Sequence, residues 1–168
     1  MGGGLPFVSP NISKLLYSNS GRAMNGMIVL VNKNNFVLDK TPHIDQNFII
    51  CHLKSNHRNL PLAVVRAYVK PKSPAQEMNK LSDIINELDG SWKRNLILGG
   101  DFNARTGDMC AFDETDWENM APHPRLTFKR CSNDKSSNAQ GKALLDLCTE
   151  LGVVMLNGRF GSESGSYT

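Results

Sequence analysis

Two side chains that could do chemistry together stand close in this sequence: Asp101 and Asn103, separated by Phe102 and preceded by Gly99-Gly100. A carboxylate can orient or deprotonate a water, and a neighbouring amide can hold that water or donate a hydrogen bond to an anionic oxygen. The residues just before them, Leu96, Ile97 and Leu98, form a short apolar run bounded by turn signals, the pattern of a strand buried on both faces. Alternation along such a strand puts Asp101 and Asn103 on one side and Phe102 on the other. The two glycines leave space for a substrate backbone or a neighbouring strand to come close. A plainer reading is a strand followed by a polar turn, in which Asp101 caps and Asn103 accepts an unusual backbone angle.

The elements that must position this turn can be read along the chain. Residues 1–20, rich in Gly, Ser and Asn, read as a flexible N-terminal loop. Met27–Val31 is an apolar, β-branched run between Asn25-Gly26 and Asn32–Asn35, and it opens a series of short strands. Phe36–Leu38, Phe48–Leu53 and Leu62–Val69 continue the series, and a turn over Asn56–Pro61 joins the last two as a hairpin. From Ser73 the period becomes helical: Met78, Leu81, Ile84, Ile85 and Leu88 share a face, with Ser73 as cap, Pro74 at the first position and Gly90 as the stop. The strand 95–101 follows. Residues 104–137 read as loop, with the acidic cluster Asp113–Glu118 as a solvated turn. A second helix spans Ala139–Leu151 and ends at Gly152, with Leu144, Leu145, Cys148 and Leu151 apolar. A final strand is expected over Val153–Leu156, before a Gly/Ser tail. The fold class is therefore α/β (α+β), with mixed sheets covered by helices.

The totals exclude several classes. A length of 168 residues suffices for one domain with a hydrophobic core. No apolar stretch approaches membrane-spanning length and no signal peptide opens the chain, which points to an intracellular protein away from membranes. The four cysteines, Cys51, Cys110, Cys131 and Cys148, are scattered without a Cys-x-x-Cys pair, so neither a zinc site nor a disulfide framework is indicated. Net charge is only +3, but residues 1–72 carry nine Lys and Arg against two acids (+7), and residues 73–168 carry ten against fourteen (−4). A basic half beside an acidic half suits a phosphate-facing surface next to a metal-binding one; it can equally be an accident of composition.

The string Leu-Gly-Gly-Asp-Phe-Asn-Ala-Arg at 98–105 resembles the Gly-Asp-Phe-Asn signature of the endonuclease/exonuclease/phosphatase superfamily, whose fold is deoxyribonuclease-like. The resemblance extends through most of the chain. Residues 21–31 look like the strand that follows Arg-x-Gly-Gly in non-LTR retrotransposon endonuclease domains, although Ala23, Met24 and Asn25 stand where small residues are usual. Leu62–Pro71, with Tyr68 before Lys70-Pro71, is similar to a strand ending in Tyr-x-x-Pro. Lys142–Arg159 resembles the helix and strand after the signature and favours the retrotransposon branch. Gly165-Ser166-Tyr167-Thr168 matches the approach to that family's next strand.

This resemblance implies a partial four-layer α/β/β/α sandwich with two mixed sheets flanked by helices. It also implies phosphodiester hydrolysis of nucleic acid, DNA ahead of RNA, dependent on Mg (or Mn). Asp101 would orient or activate the water, Asn103 would support Asp101 and the phosphate, and Tyr68 would direct its hydroxyl at the scissile phosphate. Arg105 would contact the nucleic-acid backbone. A nuclear location and a reverse-transcriptase domain in a longer product follow from the same resemblance. Residues 21–168 would be an incomplete domain: no acidic residue precedes Asp39 to serve as the family's upstream metal-binding Glu, and the chain ends before the Ser-x-Ile-Asp and Ser-Asp-His segments. The metal ligands are thus unassigned, and impaired hydrolysis is expected. His43, His52, His57 and His123 lie in other segments and read as ordinary strand or loop residues. Two alternatives stand beside this reading, a catalytically inactive nucleic-acid-binding remnant and a phosphatase or phosphodiesterase of the same fold.

Overall fold

Strands form where β-branched and large apolar residues cluster, and the alternation of their side chains decides what they cover. The computed structural model describes residues 12–18, 27–120 and 125–159. Contacts divide the chain into two compact units, Met1–Tyr68 with Glu87–Gly100, and Val69–Asn86 with Asp101–Thr168.

In the first unit, β1 (Ile12–Ser18) and β2 (Met27–Asn32) form an antiparallel pair with Leu15 opposite Leu30 and Ser18 opposite Met27. The reading of residues 1–20 as loop is corrected over Ile12–Ser18, where Ile-Ser-Lys-Leu-Leu-Tyr-Ser supplies enough apolar residues for a strand once β2 offers a partner. Residues 1–11, 19 and 20 lie outside the described residues. β3 (Phe36–Leu38), β4 (His43–Ile44), β5 (Phe48–Ser55), β6 (Pro61–Tyr68) and β7 (Leu96–Asp101) build a five-stranded sheet in the order β3-β5-β6-β7, with β4 also on β5. The β5–β6 hairpin forms as its sequence predicts, with Phe48 opposite Ala67 and Lys54 opposite Pro61. Its turn closes through Ser55 N–H to Leu60 O at 3.2 Å, with Asn59 at a φ of 48°.

Beside β6, β7 runs parallel. Ala63 N–H donates to Asn95 O at 2.9 Å and Val69 N–H to Asp101 O at 2.8 Å, so the register advances together on both strands. One face of the sheet buries Ile49, Cys51 and Leu53 with Met27 and Val31 of β2; Phe36, Leu38, Leu62, Val64 and Tyr68 pack around them. The other face buries Phe48, Ile50, Ala63, Val65 and Ala67. Fully covering β5 in this way removes several large side chains from water at roughly 2 kcal/mol each, which makes it the anchor of the unit.

The strand before the Asp-x-Asn turn differs from expectation. β7 ends the sheet order, and among the described residues only β6 pairs with it. Ile97 is 54% exposed, so the strand is not buried on both faces. Its apolar run reads like a central strand because sequence cannot show that one face lacks a cover. Gly90, expected to stop the first helix, instead opens a short second one, α2 (Gly90–Arg94), while α1 (Pro74–Asn86) ends sooner and leaves Leu88 beyond it. Trp92 explains the extra turn: its buried ring meets His52 edge-on, with centroids 5.0 Å apart.

The second unit is built on α1 and α4 (Ala139–Leu151). The apolar faces of the two helices pair, and Glu150 accepts from Ser82 Oγ (2.5 Å) and Asn86 Nδ2 (3.1 Å). Gly152 takes the left-handed conformation that ends α4, as its position predicts. The acids of Asp113–Glu118 are exposed as expected, but the segment is a short helix rather than a turn: α3 (Glu114–Asn119) is capped by Asp113, which accepts from Asp116 N–H at 2.8 Å. It forms because Trp117 gives it a side chain to bury, and that ring lies 6.0 Å from Phe128. The strand expected at Val153–Leu156 is absent. Val153 N–H closes the helix end on Cys148 O, and no described strand lies alongside to pair with it.

Candidate active site

Asp101 ends β7 and is exposed, and beyond it the extended conformation stops. Asn103 has a φ of 48°, in the left-handed region, so strand alternation does not carry past Asp101 and the two side chains are not related as neighbours on one strand face. A tight turn joins them instead. Asp101 Oδ1 accepts from Asn103 N–H at 3.0 Å, and Asn103 Nδ2 donates to Val69 O at 2.9 Å. Left-handed backbone is tolerated better by Asn than by most residues, which is why this type stands here. The capped polar turn anticipated as the plainer reading is therefore present, and it also brings the Asp101 carboxylate and the Asn103 amide into one small structure at a strand's carboxyl end. Among the described residues, Oδ2 of Asp101 makes no hydrogen bond.

Gly100 permits the close approach of β7 to β6. At a φ of 156°, an added Cβ would lie 1.9 Å from Ala67 O. Gly99 has open space around it. The glycine pair is thus unequal: one residue lets β7 lie against β6, and at the other an added Cβ would meet nothing.

Arg105 is placed by its neighbours more firmly than its sequence suggests. Its Nη1 donates to Ser136 Oγ at 3.3 Å, and its Nε lies 3.7 Å from Asp134 Oδ2. The hydroxyl and backbone amide of Ser136 hold the Asp134 carboxyl below the usual aspartate range, with Arg105 adding to the effect. The guanidinium is still largely exposed, with 65% of its side chain accessible, so a phosphate can compete for it. Tyr68 lies in the first unit, at the end of β6. Its N–H donates to Asn47 O at 2.9 Å, and its ring packs on the cluster around Ile49 and Cys51. The structure therefore joins Asp101 and Asn103 in one turn of the second unit, directs Arg105, two residues on, at Ser136 and Asp134, and puts Tyr68 in the first unit.

Sequence reasoning missed what holds the loop after the turn. Asn138, the cap of α4, reaches the backbone on both sides of Ala104. Gly141 lets the first turn of α4 lie against that loop, since a Cβ there would fall 1.9 Å from Arg105 O. Two buried arginines fix the far end. Arg130 donates to Thr106 Oγ1 (3.0 Å), Met109 O (2.7 Å) and Asn157 O (3.0 Å). Arg159 donates to Met155 O, Thr127 O, Phe128 O and Cys110 Sγ, with its guanidinium carbon 4.5 Å from the Trp117 ring centroid. Burial, and then the charge of Arg159, pull the Arg130 pKa down from its ordinary value. Nothing in the local spacing signals these contacts, because carbonyl acceptors carry no side-chain type.

His43 lies on β4, His52 on β5 and His57 in the β5–β6 turn, while His123 is outside the described residues. Burial lowers the His52 pKa, with Lys40 adding to the effect. Among the described residues no three His, Cys, Asp or Glu side chains cluster where a metal could sit. Asp101 alone offers too few oxygen ligands for Mg²⁺ or Mn²⁺, which take about six. No helix among the described residues is long and apolar enough to cross a membrane. No protein-family model matches the chain, and no curated protein matches it closely enough to count as a relative.

Proposed function

We propose that this chain carries part of a phosphodiesterase site acting on nucleic acid, of the retrotransposon-endonuclease type. The observation that carries the reading is the turn at Asp101–Asn103, where an exposed carboxylate and a backbone-anchored amide share the carboxyl end of a strand that runs parallel to its neighbour. Ligand sites in sheets with parallel strands favour that end. In this reading Asp101 orients or deprotonates the attacking water through its unengaged oxygen, Asn103 fixes the carboxylate's direction, and Arg105 contacts a backbone phosphate. Tyr68 belongs to the set through the family resemblance alone. Mg (or Mn) is the cofactor that resemblance implies. The described residues do not fit it by themselves, since no cluster of ligands accompanies Asp101 among them. The same reading takes the β1–β2 pair, whose Met27 and Val31 face the larger sheet, as part of a second sheet in a four-layer sandwich. A nuclear location, DNA as the favoured substrate and a partner reverse-transcriptase domain are parts of the proposal too.

Asp101→Asn separates catalysis from folding, because an amide oxygen still accepts from Asn103 N–H while the charge is gone. Supercoiled plasmid is incubated with the protein in Mg²⁺ or Mn²⁺, and nicked circles are quantified. Metal-dependent nicking is expected to fall by about a hundredfold or more in Asp101→Asn with unchanged melting. Equal nicking by both proteins refutes the assignment. A second reading is favoured by the single carboxylate at the turn: a nucleic-acid-binding remnant without catalysis. It predicts no nicking by either protein, together with DNA binding that weakens steeply as salt rises.

A further inference from the structure

We infer that Asn138 is a positioning residue for the Asp101–Asn103 turn, acting through the backbone of residues 103–105; the inference rests on the proposed site. Asn138 is 35 residues from Asn103 in sequence, yet both Oδ1 and Nδ2 of its amide are engaged on and around that turn. Oδ1 accepts from Gly141 N–H at 2.7 Å, which is ordinary capping of α4. The same oxygen accepts from Arg105 N–H at 2.9 Å, and Nδ2 donates to Asn103 O at 3.1 Å. The Asn138 N–H also donates to Arg105 O at 3.0 Å. A helix cap needs only the first of these bonds.

The other bonds have a consequence for Asn103. A left-handed residue persists where its surroundings over-determine it. Here the Asn103 N–H is held by Asp101, its side-chain amide by Val69 O, and its carbonyl by Asn138. Two of these three restraints involve groups inside the proposed site. Asn138 supplies the third from outside, and it ties the turn to the start of α4. Loss of the Nδ2 donor releases the 103–104 peptide, and with it the restraint on the left-handed φ and ψ of Asn103 that keeps the adjoining 102–103 N–H on the Asp101 carboxylate.

The test is a pair of variants in the full chain. Asn138→Asp keeps both acceptor bonds and adds a negative charge that favours a helix N-terminus, but it replaces the donor to Asn103 O with an oxygen. Asn138→Ala removes all three side-chain bonds. For Asn138→Asp the melting temperature is expected at or above that of the parent, while the Asn103 backbone amide exchanges roughly fivefold faster or more. Where the parent nicks plasmid, kcat falls about tenfold or more with KM unchanged. Asn138→Ala is expected to lose both melting temperature and protection. Parental exchange at Asn103 in Asn138→Asp overturns the inference, as does a loss of protection that only follows melting temperature in both variants. A parent protein that nicks nothing counts against the proposed activity, and the exchange measurement still decides the role of Asn138.

Discussion

Replacing Gly100 and Gly99 by alanine, one at a time, gives the sharpest test of how β7 is held. The two sites are adjacent, and the substitution is the same. At Gly100 the new Cβ would lie 1.9 Å from Ala67 O, 2.8 Å from Ala67 C and 2.9 Å from Ala67 N. All three atoms are backbone, so no side-chain rotation relieves the overlap. The φ of 156° adds a conformational cost that glycine avoids. Overpacking costs about 1–3 kcal/mol and a disfavoured backbone angle another 1–3 kcal/mol, so Gly100→Ala is expected to lose about 4 kcal/mol. At Gly99 nothing lies within 4 Å, and alanine there reduces the freedom of the unfolded chain. Gly99→Ala is therefore expected to be neutral or stabilising by up to about 1 kcal/mol. Urea unfolding reads the difference. With a slope of about 2 kcal/mol per molar, the Gly100→Ala midpoint falls by roughly 2 M while the Gly99→Ala midpoint holds. Equal midpoints would refute the argument that β7 is held against β6 through a position only glycine can fill.

Two further predictions concern titrating groups. Burial pushes the Cys51 and Cys148 thiols up to about 11, while Cys131 is exposed. A thiol reagent at neutral pH should therefore label Cys131 at once and reach Cys51 and Cys148 only after denaturant is added; fast labelling of either in the folded protein would contradict the packing. The Asp108 carboxyl is held below its usual range, first by the hydrogen bond from Lys135 Nζ (2.7 Å) and then by Ser132 N–H (2.7 Å). A depressed carboxylate stabilises above its unfolded pKa, about 3.9, and that stabilisation disappears as pH falls through the lower folded value. Asp108→Ala should thus melt below the parent at neutral pH and coincide with it near pH 2; a gap that persists in acid would refute the linkage.

The sequence is informative where one local pattern decides the outcome. The β5–β6 hairpin needs only two β-rich runs and a polar turn between them, and α4 needs an apolar face, a cap and Gly152. Its failures share a cause, because each depends on a distant neighbour. Ile-Ser-Lys-Leu-Leu-Tyr-Ser at 12–18 becomes a strand through pairing with β2, and Val153–Leu156 stays irregular with no strand beside it. The acidic cluster is helical because Trp117 is buried beside Phe128, a contact 11 residues away in sequence that charge counting does not see. The polar turn at Asp101–Asn103 is legible in its residue types, but the relation of the two side chains is not. Strand alternation ends at Asp101, two residues short of Asn103, where the backbone is left-handed.

That turn changes how the two readings of Asp-x-Asn should be weighed. A capped polar turn and a catalytic carboxylate look like competing explanations, yet they place different demands on the side chain. Capping needs one acceptor oxygen on Asp101, which Asn103 N–H occupies. Water activation needs the other oxygen and the negative charge. Among the described residues Asp101 has no cationic partner, and an asparagine would also serve the cap. A carboxylate strengthens the bond from Asn103 N–H, and at an exposed position its charge costs the fold little, so the turn and a catalytic role are compatible at Asp101. The amide at 103 is accounted for by its left-handed backbone and its bond to Val69. In the proposed site it is therefore Asp101 that would carry the chemistry, with Asn103 holding its direction through the bond to Oδ1.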